Sequence, residues 1–161
     1  MVPKMKQITK EGLVRQLREK GFKITPQRRA IIEALVDNRP LHPGAHLIFE
    51  EAKKKTKSLS LSTVYATMGE FSQHGLVKSL EFDRMDNRYE GNLDEHVNLI
   101  CKRCGRIEDY PLPALIEPKE IAGKMGFRVM DARMEYYGFC RDCVTNQSDL
   151  PGGRMRRNRK S

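Results

Sequence analysis

An α+β fold in two parts, an N-terminal winged helix-turn-helix followed by a small C-terminal α/β domain with a four-cysteine zinc site, is predicted by three features of the 161-residue chain. Four stretches of helical apolar periodicity fill the first half, each opened by a capping residue or a proline. Two strand-like runs around a polar turn follow them. The second half combines strand-like pieces and one helix with two C-x-x-C pairs.

Thr9 is placed to cap a first helix whose Leu13, Val14 and Leu17 share a face, with Gly21 ending it. Thr25 caps a second, Pro26 suits its first turn, and Ile31, Ile32, Leu35 and Val36 supply its buried face before Asn38 and Pro40 stop it. Pro43 opens a third helix carrying Ala45, Ile48, Phe49 and Ala52; the run Lys53 to Lys57 is too charged for core and reads as a solvated face near a polyanion. Ser60 caps a fourth, with Leu61, Val64, Met68 and Phe71 inward and Ser62, Thr63, Tyr65 and Thr67 among the outward positions, ending at Gly75. Leu76 to Phe82 and Arg88 to Glu90 form a hairpin around Asp83 to Asn87. Helices followed by a hairpin make a winged helix-turn-helix, and a short polar helix after a turn in a basic domain points to DNA.

Beyond a polar hinge at residues 91–95, strands are expected at Val97 to Ile100, Arg106 to Tyr110, Arg128 to Met130 and Arg133 to Tyr137, with a helix from near Glu117 to Met125. The division is therefore 1–90, the hinge, 96–148, and a basic tail at 149–161 that has too little apolar content to fold.

Charge follows the same division. The chain has 30 basic and 21 acidic residues, a formal net charge of +9. Residues 1–90 hold 17 basic against 11 acidic side chains, whereas 91–148 hold 8 against 9. A basic front and a near-neutral middle imply that one part meets a nucleic acid while the other has a different task. No apolar run approaches a membrane span and Met1 to Lys10 lacks the core of a signal peptide, so a cytoplasmic location with no membrane partner is expected.

In a reducing compartment, Cys101-x-x-Cys104 and Cys140-x-x-Cys143 read as two metal knuckles. Four thiolates around one zinc leave no open position for water, which makes the ion a structural staple. The competing reading is a thiol redox switch in which each pair closes to a disulfide. A zinc deaminase lacks its H-x-E and P-C-x-x-C elements here. An enzyme of any class lacks a nucleophile beside a base.

In order along the chain stand Gly-Phe-Lys-Ile-Thr-Pro-Gln-Arg (21–28), His-Pro (42–43), Ser-Thr-Val-Tyr (62–65), Gly-Leu-Val (75–77), Arg-Tyr-Glu (88–90) and the two cysteine pairs. This ordered set resembles the ferric uptake regulator family of iron, zinc, manganese and peroxide sensors, from about Leu13 to Cys143. The resemblance implies a homodimer, joined by its C-terminal dimerisation domain and binding a palindromic double-stranded DNA operator as a metal-dependent repressor. It implies DNA contacts from Lys23, Ser62, Thr63 and Tyr65, with Ala66 standing where many relatives carry Arg.

It also implies a regulatory site for a second divalent metal (Fe2+, Mn2+ or Zn2+) at His42, Glu90, His96 and Asp109. Asn98 stands where relatives carry a second histidine and is a weaker donor than imidazole. His46, four residues after His42, offers a substitute nitrogen, His74 is read as structural, and Ala132 removes a third metal position found in some relatives. The peroxide-sensing branch uses bound iron to oxidise a ligand histidine and typically carries Asp where this chain has Glu90. That glutamate points instead to a metal corepressor, with His96 still open to oxidation.

Overall fold

The computed structural model describes residues 7–81, 86–111, 118–130 and 132–144. Its elements run α1 (Lys10–Glu19), α2 (Pro26–Asp37), a 3-10 turn (Arg39–Leu41), α3 (Ala45–Lys53), α4 (Leu61–Gln73), β1 (Lys78–Leu80), β2 (Arg88–Glu90), β3 (His96–Cys101), β4 (Ile107–Pro111), α5 (Pro118–Met125), β5 (Met134–Gly138) and α6 (Arg141–Val144). The expected basic tail lies outside the described residues, as does most of the turn Asp83 to Asn87.

Each of three helices starts where a hydroxyl can satisfy an orphan amide. Thr9 Oγ1 accepts from the Gly12 N–H at 3.0 Å, Thr25 Oγ1 from Arg28 at 3.1 Å and Ser60 Oγ from Thr63 at 3.2 Å. Such caps contribute about 1 kcal/mol each. Leu13 and Leu17 of α1, Ile31, Ile32 and Leu35 of α2, Ile48 of α3 and Val64, Met68 and Phe71 of α4 close one core. Leu76, Val77 and Tyr89 join it, so the hairpin is packed on the helices and not appended to them. β1 and β2 pair antiparallel with Lys78 opposite Glu90.

The C-terminal sheet has the order β4-β3-β5. β4 is antiparallel to β3, and β5 is parallel to it, which requires the crossover that contains α5. Leu80 at the end of β1 is buried with Ile100 and Ile107 of this sheet, and Arg133 donates to the Ser79 carbonyl at 2.7 Å. The wing therefore touches both halves of the chain.

Four details depart from the sequence reading. No strand forms at Arg128 to Met130, where Phe127 and Met130 are exposed and so gain no burial that would hold the segment against the sheet. Thr67 is buried, because it falls beside Met68 and Phe71 on the inner face of α4. The third helix begins at Ala45, not Pro43, since Pro43 and Gly44 are extended against β2: the Tyr89 amide donates to the Pro43 carbonyl at 3.0 Å and Gly44 bridges Arg88. α6, a single turn over the second cysteine pair, is too short to leave a periodic pattern in the sequence.

The residues before α1 are also built in. Gln7 bridges Asn92, the Ile8 amide donates to the Gly91 carbonyl at 3.1 Å, and Arg39 donates to the Ile8 carbonyl at 2.8 Å. A Cβ at Gly91 would stand 2.6 Å from the Ile8 side chain, so glycine is required by close approach. Gly91→Ala is expected to lower stability by about 1–3 kcal/mol in urea unfolding, and to cost much less when made in an Ile8→Ala chain, where the clash is gone. A double variant as unstable as the sum of its parts would disprove that contact.

Candidate metal centres and nucleic-acid interface

Two clusters of potential ligands occur among the described residues. The first lies where the helical part meets the C-terminal sheet. The 3-10 turn ends at His42, which adopts a left-handed backbone (φ 46°, ψ 69°), a conformation that costs a non-glycine residue energy and persists only when its surroundings impose it. The Pro43–Gly44 pairing with β2 is what imposes it, and it sets the His42 ring beside Glu90 at the end of that strand.

His42 Nε2 is 2.7 Å from Asp109 Oδ1 on β4 and 4.0 Å from Glu90 Oε1. His96 at the start of β3 meets the same Glu90 oxygen through its Nε2. The ligand atoms of His42, Glu90 and Asp109 all lie within 4.8 Å of one another, His96 reaches the group through Glu90, and His42, Glu90 and His96 are almost wholly removed from solvent.

Two further residues hold these groups in place. Asn92 Nδ2 donates to Asp109 Oδ2 at 3.1 Å, and the Asp94 carbonyl lies 2.7 Å from His96 Nδ1, turning Nε2 toward Glu90. Sequence reasoning passed over both as polar hinge; the only signal was two side chains with local hydrogen-bonding habits next to the ligands.

Burial pulls the His96 imidazolium down, but the Glu90 carboxylate, the Asp94 carbonyl and Asp109 outweigh it and leave its pKa raised to about 8. Burial likewise pushes Asp109 up, and His42, Asn92 and His96 more than reverse that, leaving it lowered. His42 Nδ1 and Asn98 Oδ1 are among the buried atoms with no hydrogen-bond partner among the described residues, and unlike Glu90 Oε1, His96 Nε2 and Asp109 Oδ1 they have no ion-pair contact there either. A buried, carboxylate-rich nest with orphaned acceptors fits a divalent cation. His46 does not join it: its ring is exposed and faces Asp86 at 3.6 Å. His74 packs edge-on to Phe22 with ring centroids 4.9 Å apart, as a structural residue would. Ala132 precedes β5 with no imidazole to offer.

The second cluster is Cys101, Cys104, Cys140 and Cys143, whose sulfurs all lie within 4.8 Å of one another. Cys104 and Cys140 Sγ, from different knuckles, are 3.7 Å apart. Sulfurs at about 2.3 Å from a tetrahedral ion stand about 3.8 Å from each other, so the spacing fits one shared ion. Backbone N–H groups of Cys104 and Cys140 aimed at Cys101 lower its pKa to about 6. Burial and the neighbouring thiols push Cys143 up to about 12. Thiols split in this way cannot all ionise without a cation among them.

On the outward face expected to meet DNA, Ser62 and Tyr65 are exposed on α4 and Thr63 is half-buried. The Ser62 and Thr63 hydroxyls both bond Ser60 Oγ, at 2.9 and 2.8 Å, and so belong to the cap of the helix they stand on. The exposed Lys23 is anchored next to α4 by Phe22 on His74 and by the Arg28–Glu70 ion pair. The lysines of the Lys53 to Lys57 run are exposed as expected, although Lys54 and Lys55 are engaged by Glu51 and Glu33.

The sequence profile of the ferric uptake regulator family matches residues 19–137. The chain is 39% identical over 133 residues to the peroxide operon regulator of Bacillus subtilis, covering 82% of this chain and 91% of that one. It is 35% identical over 134 residues to the peroxide-responsive repressor PerR of Staphylococcus epidermidis, covering 83% and 89%. Among solved structures, a zinc-bound manganese uptake regulator superposes with a TM-score of 0.60 at 32% identity, covering 80% of this chain and 98% of that one.

The raised pKa of His96 gives a testable pH dependence. In the folded chain without metal at this site, His96 holds its proton to about 8, whereas in the unfolded chain it loses it near 6.5. Stability from the His96–Glu90 pair is therefore complete below about 6.5 and lost as pH rises to about 8. Urea unfolding across that window should show the fall, and Glu90→Gln should flatten it; an unchanged slope in the variant would contradict the assignment.

Proposed function

Because the chain belongs to the ferric uptake regulator family, we propose that it is a metal-responsive transcription regulator, a repressor that grips duplex DNA as a homodimer when a divalent metal sits between its two halves. It is not an enzyme. The observation that carries the reading is the convergence of His42, Glu90, His96 and Asp109 from the 3-10 turn, the wing and two strands of the C-terminal sheet. A cation held there by His42 and Glu90 on one side and His96 and Asp109 on the other supplies charge neutralisation for a buried carboxylate pair. The four residues tie the winged helices to the sheet, which favours one spacing of the two recognition helices in a dimer over others.

In this reading residues 1–90 are the DNA-binding unit, 91–95 the hinge, 96–148 the dimerisation unit and 149–161 a basic tail, with Zn2+ as the structural ion of the four cysteines. Lys23, Ser62, Thr63 and Tyr65 meet the operator. Exposed Tyr110, Met125, Phe127, Met130, Tyr136 and Phe139 form apolar surface on the C-terminal part that a second copy of the chain would cover. No helix among the described residues is long and apolar enough to cross a membrane, in keeping with a cytoplasmic regulator.

Binding of the zinc-loaded protein to a palindromic operator, followed by fluorescence anisotropy at fixed salt, should tighten when Fe2+, Mn2+ or Zn2+ is added. His42→Ala and Glu90→Ala should remove that gain. Tyr65→Ala should cost about 1–3 kcal/mol at one operator position with metal present. Equal affinity with and without metal would refute the proposal.

A second reading, a peroxide sensor, is favoured by the names of the Bacillus and Staphylococcus relatives. Iron in the same site would supply oxidising chemistry, and His96, held by Glu90 and the Asp94 carbonyl, is the ligand it would mark. Mass spectrometry after iron(II) and peroxide treatment should then find an oxidised His96 peptide, and an unmodified one leaves the corepressor reading alone.

A further inference from the structure

We infer that Asn98 is a metal ligand of the regulatory site and that its amide oxygen sets the metal preference of this chain toward Mn2+ and away from Zn2+. The inference rests on the reading of His42, Glu90, His96 and Asp109 as that site. Side chains two residues apart on a strand share a face, so Asn98 projects from β3 on the same side as His96. In the antiparallel register Asn98 stands directly opposite Asp109 of β4, which places their side chains together as well.

Asn98 is 3% exposed, and its Oδ1 is sealed from solvent with no hydrogen-bond partner among the described residues. A central strand rarely keeps such an orphan, because an apolar residue of similar volume would fit without leaving an acceptor unsatisfied. Its other cross-strand neighbour, Glu135 of β5, offers no donor and is itself engaged by Arg133 and by the Tyr137 hydroxyl. A donorless carbonyl oxygen, on a side chain that shares a strand face with a histidine and stands in register with a carboxylate, is placed to serve as an oxygen ligand to a cation.

With Asn98 included, the donors are two imidazole nitrogens, two carboxylates and one neutral amide oxygen. Zn2+ is satisfied by four donors and binds nitrogen and sulfur well. Mn2+ accepts higher coordination and is suited by carboxylate and carbonyl oxygen. An oxygen at position 98 therefore weights the site to the harder ion, and an imidazole in its place would weight it the other way.

The test uses the full chain with its cysteine site filled by zinc. Mn2+ binding is read from the free-ion signal in electron paramagnetic resonance, and Zn2+ binding at the second site by competition with a chelator. Asn98→Ala should weaken Mn2+ binding about tenfold or more, and Asn98→His should raise the ratio of Zn2+ to Mn2+ affinity by a similar factor. Asn98→Leu, which removes the orphaned oxygen, should leave the metal-free protein at least as stable in urea while weakening Mn2+ binding; a structural asparagine would give the reverse. If Asn98→Ala binds Mn2+ like the parent while His42→Ala and Glu90→Ala do not, Asn98 is no ligand and the site stands. If His42→Ala and Glu90→Ala also bind Mn2+ like the parent, the site reading fails with it.

Discussion

The arrangement of this chain depends on one electrostatic constraint: Glu90 and Asp109 are carboxylates taken out of water at the junction of two sheets, and each needs a cationic or donor partner there. His96 satisfies one and His42 with Asn92 the other. The backbone accommodates this at some cost. His42 takes a left-handed conformation, Pro43 and Gly44 give up helix to pair with the wing, and Gly91 must lack a side chain so that Ile8 can lie against it. None of these would be favoured by local propensity alone. Together they describe a junction whose geometry, among the described residues, is held by its polar centre more than by apolar contact.

That apolar contact is small. Leu80 with Ile100 and Ile107 is a three-residue contact, whereas the helical core draws on every helix of the first half. Among the described residues few buried apolar groups span the junction, so the charge state of the polar centre weighs heavily there. The Arg133 bond to the Ser79 carbonyl adds a point of attachment from the residue just before β5. A wing fastened at two points moves with the sheet or with the helices according to which fastening is stronger.

Much of this could be read before the structure because it is local. Thr9, Thr25 and Ser60 announce their helices through a hydroxyl three residues before the amide it serves, and the cysteine knuckles state their chemistry by spacing. The resemblance named His42, Glu90, His96 and Asp109 together, and the fold brings them together. What stayed hidden is relational. Arg128 to Met130 has the composition of a strand but pairs with none of β3, β4 and β5, and Met130 stays exposed. Thr67 is polar yet inward because helical phase, not residue type, decides its side. Asn92 and Asp94 look like hinge filler until the fold sets them against Asp109 and His96.

The Ile8–Gly91 contact also bears on the order in which the chain can assemble. The four helices are built from contacts between near neighbours in sequence and can form as soon as each emerges during synthesis. Ile8 cannot settle with them, for its partner strand begins only after the wing has been made. The first residues of the fold thus dock only after the helices and the wing have emerged, closing a loop around the whole helical unit. Before that closure, the backbone at Gly91 lacks its edge partner, and the helices stand without the strap that later ties their first residues to the end of the wing.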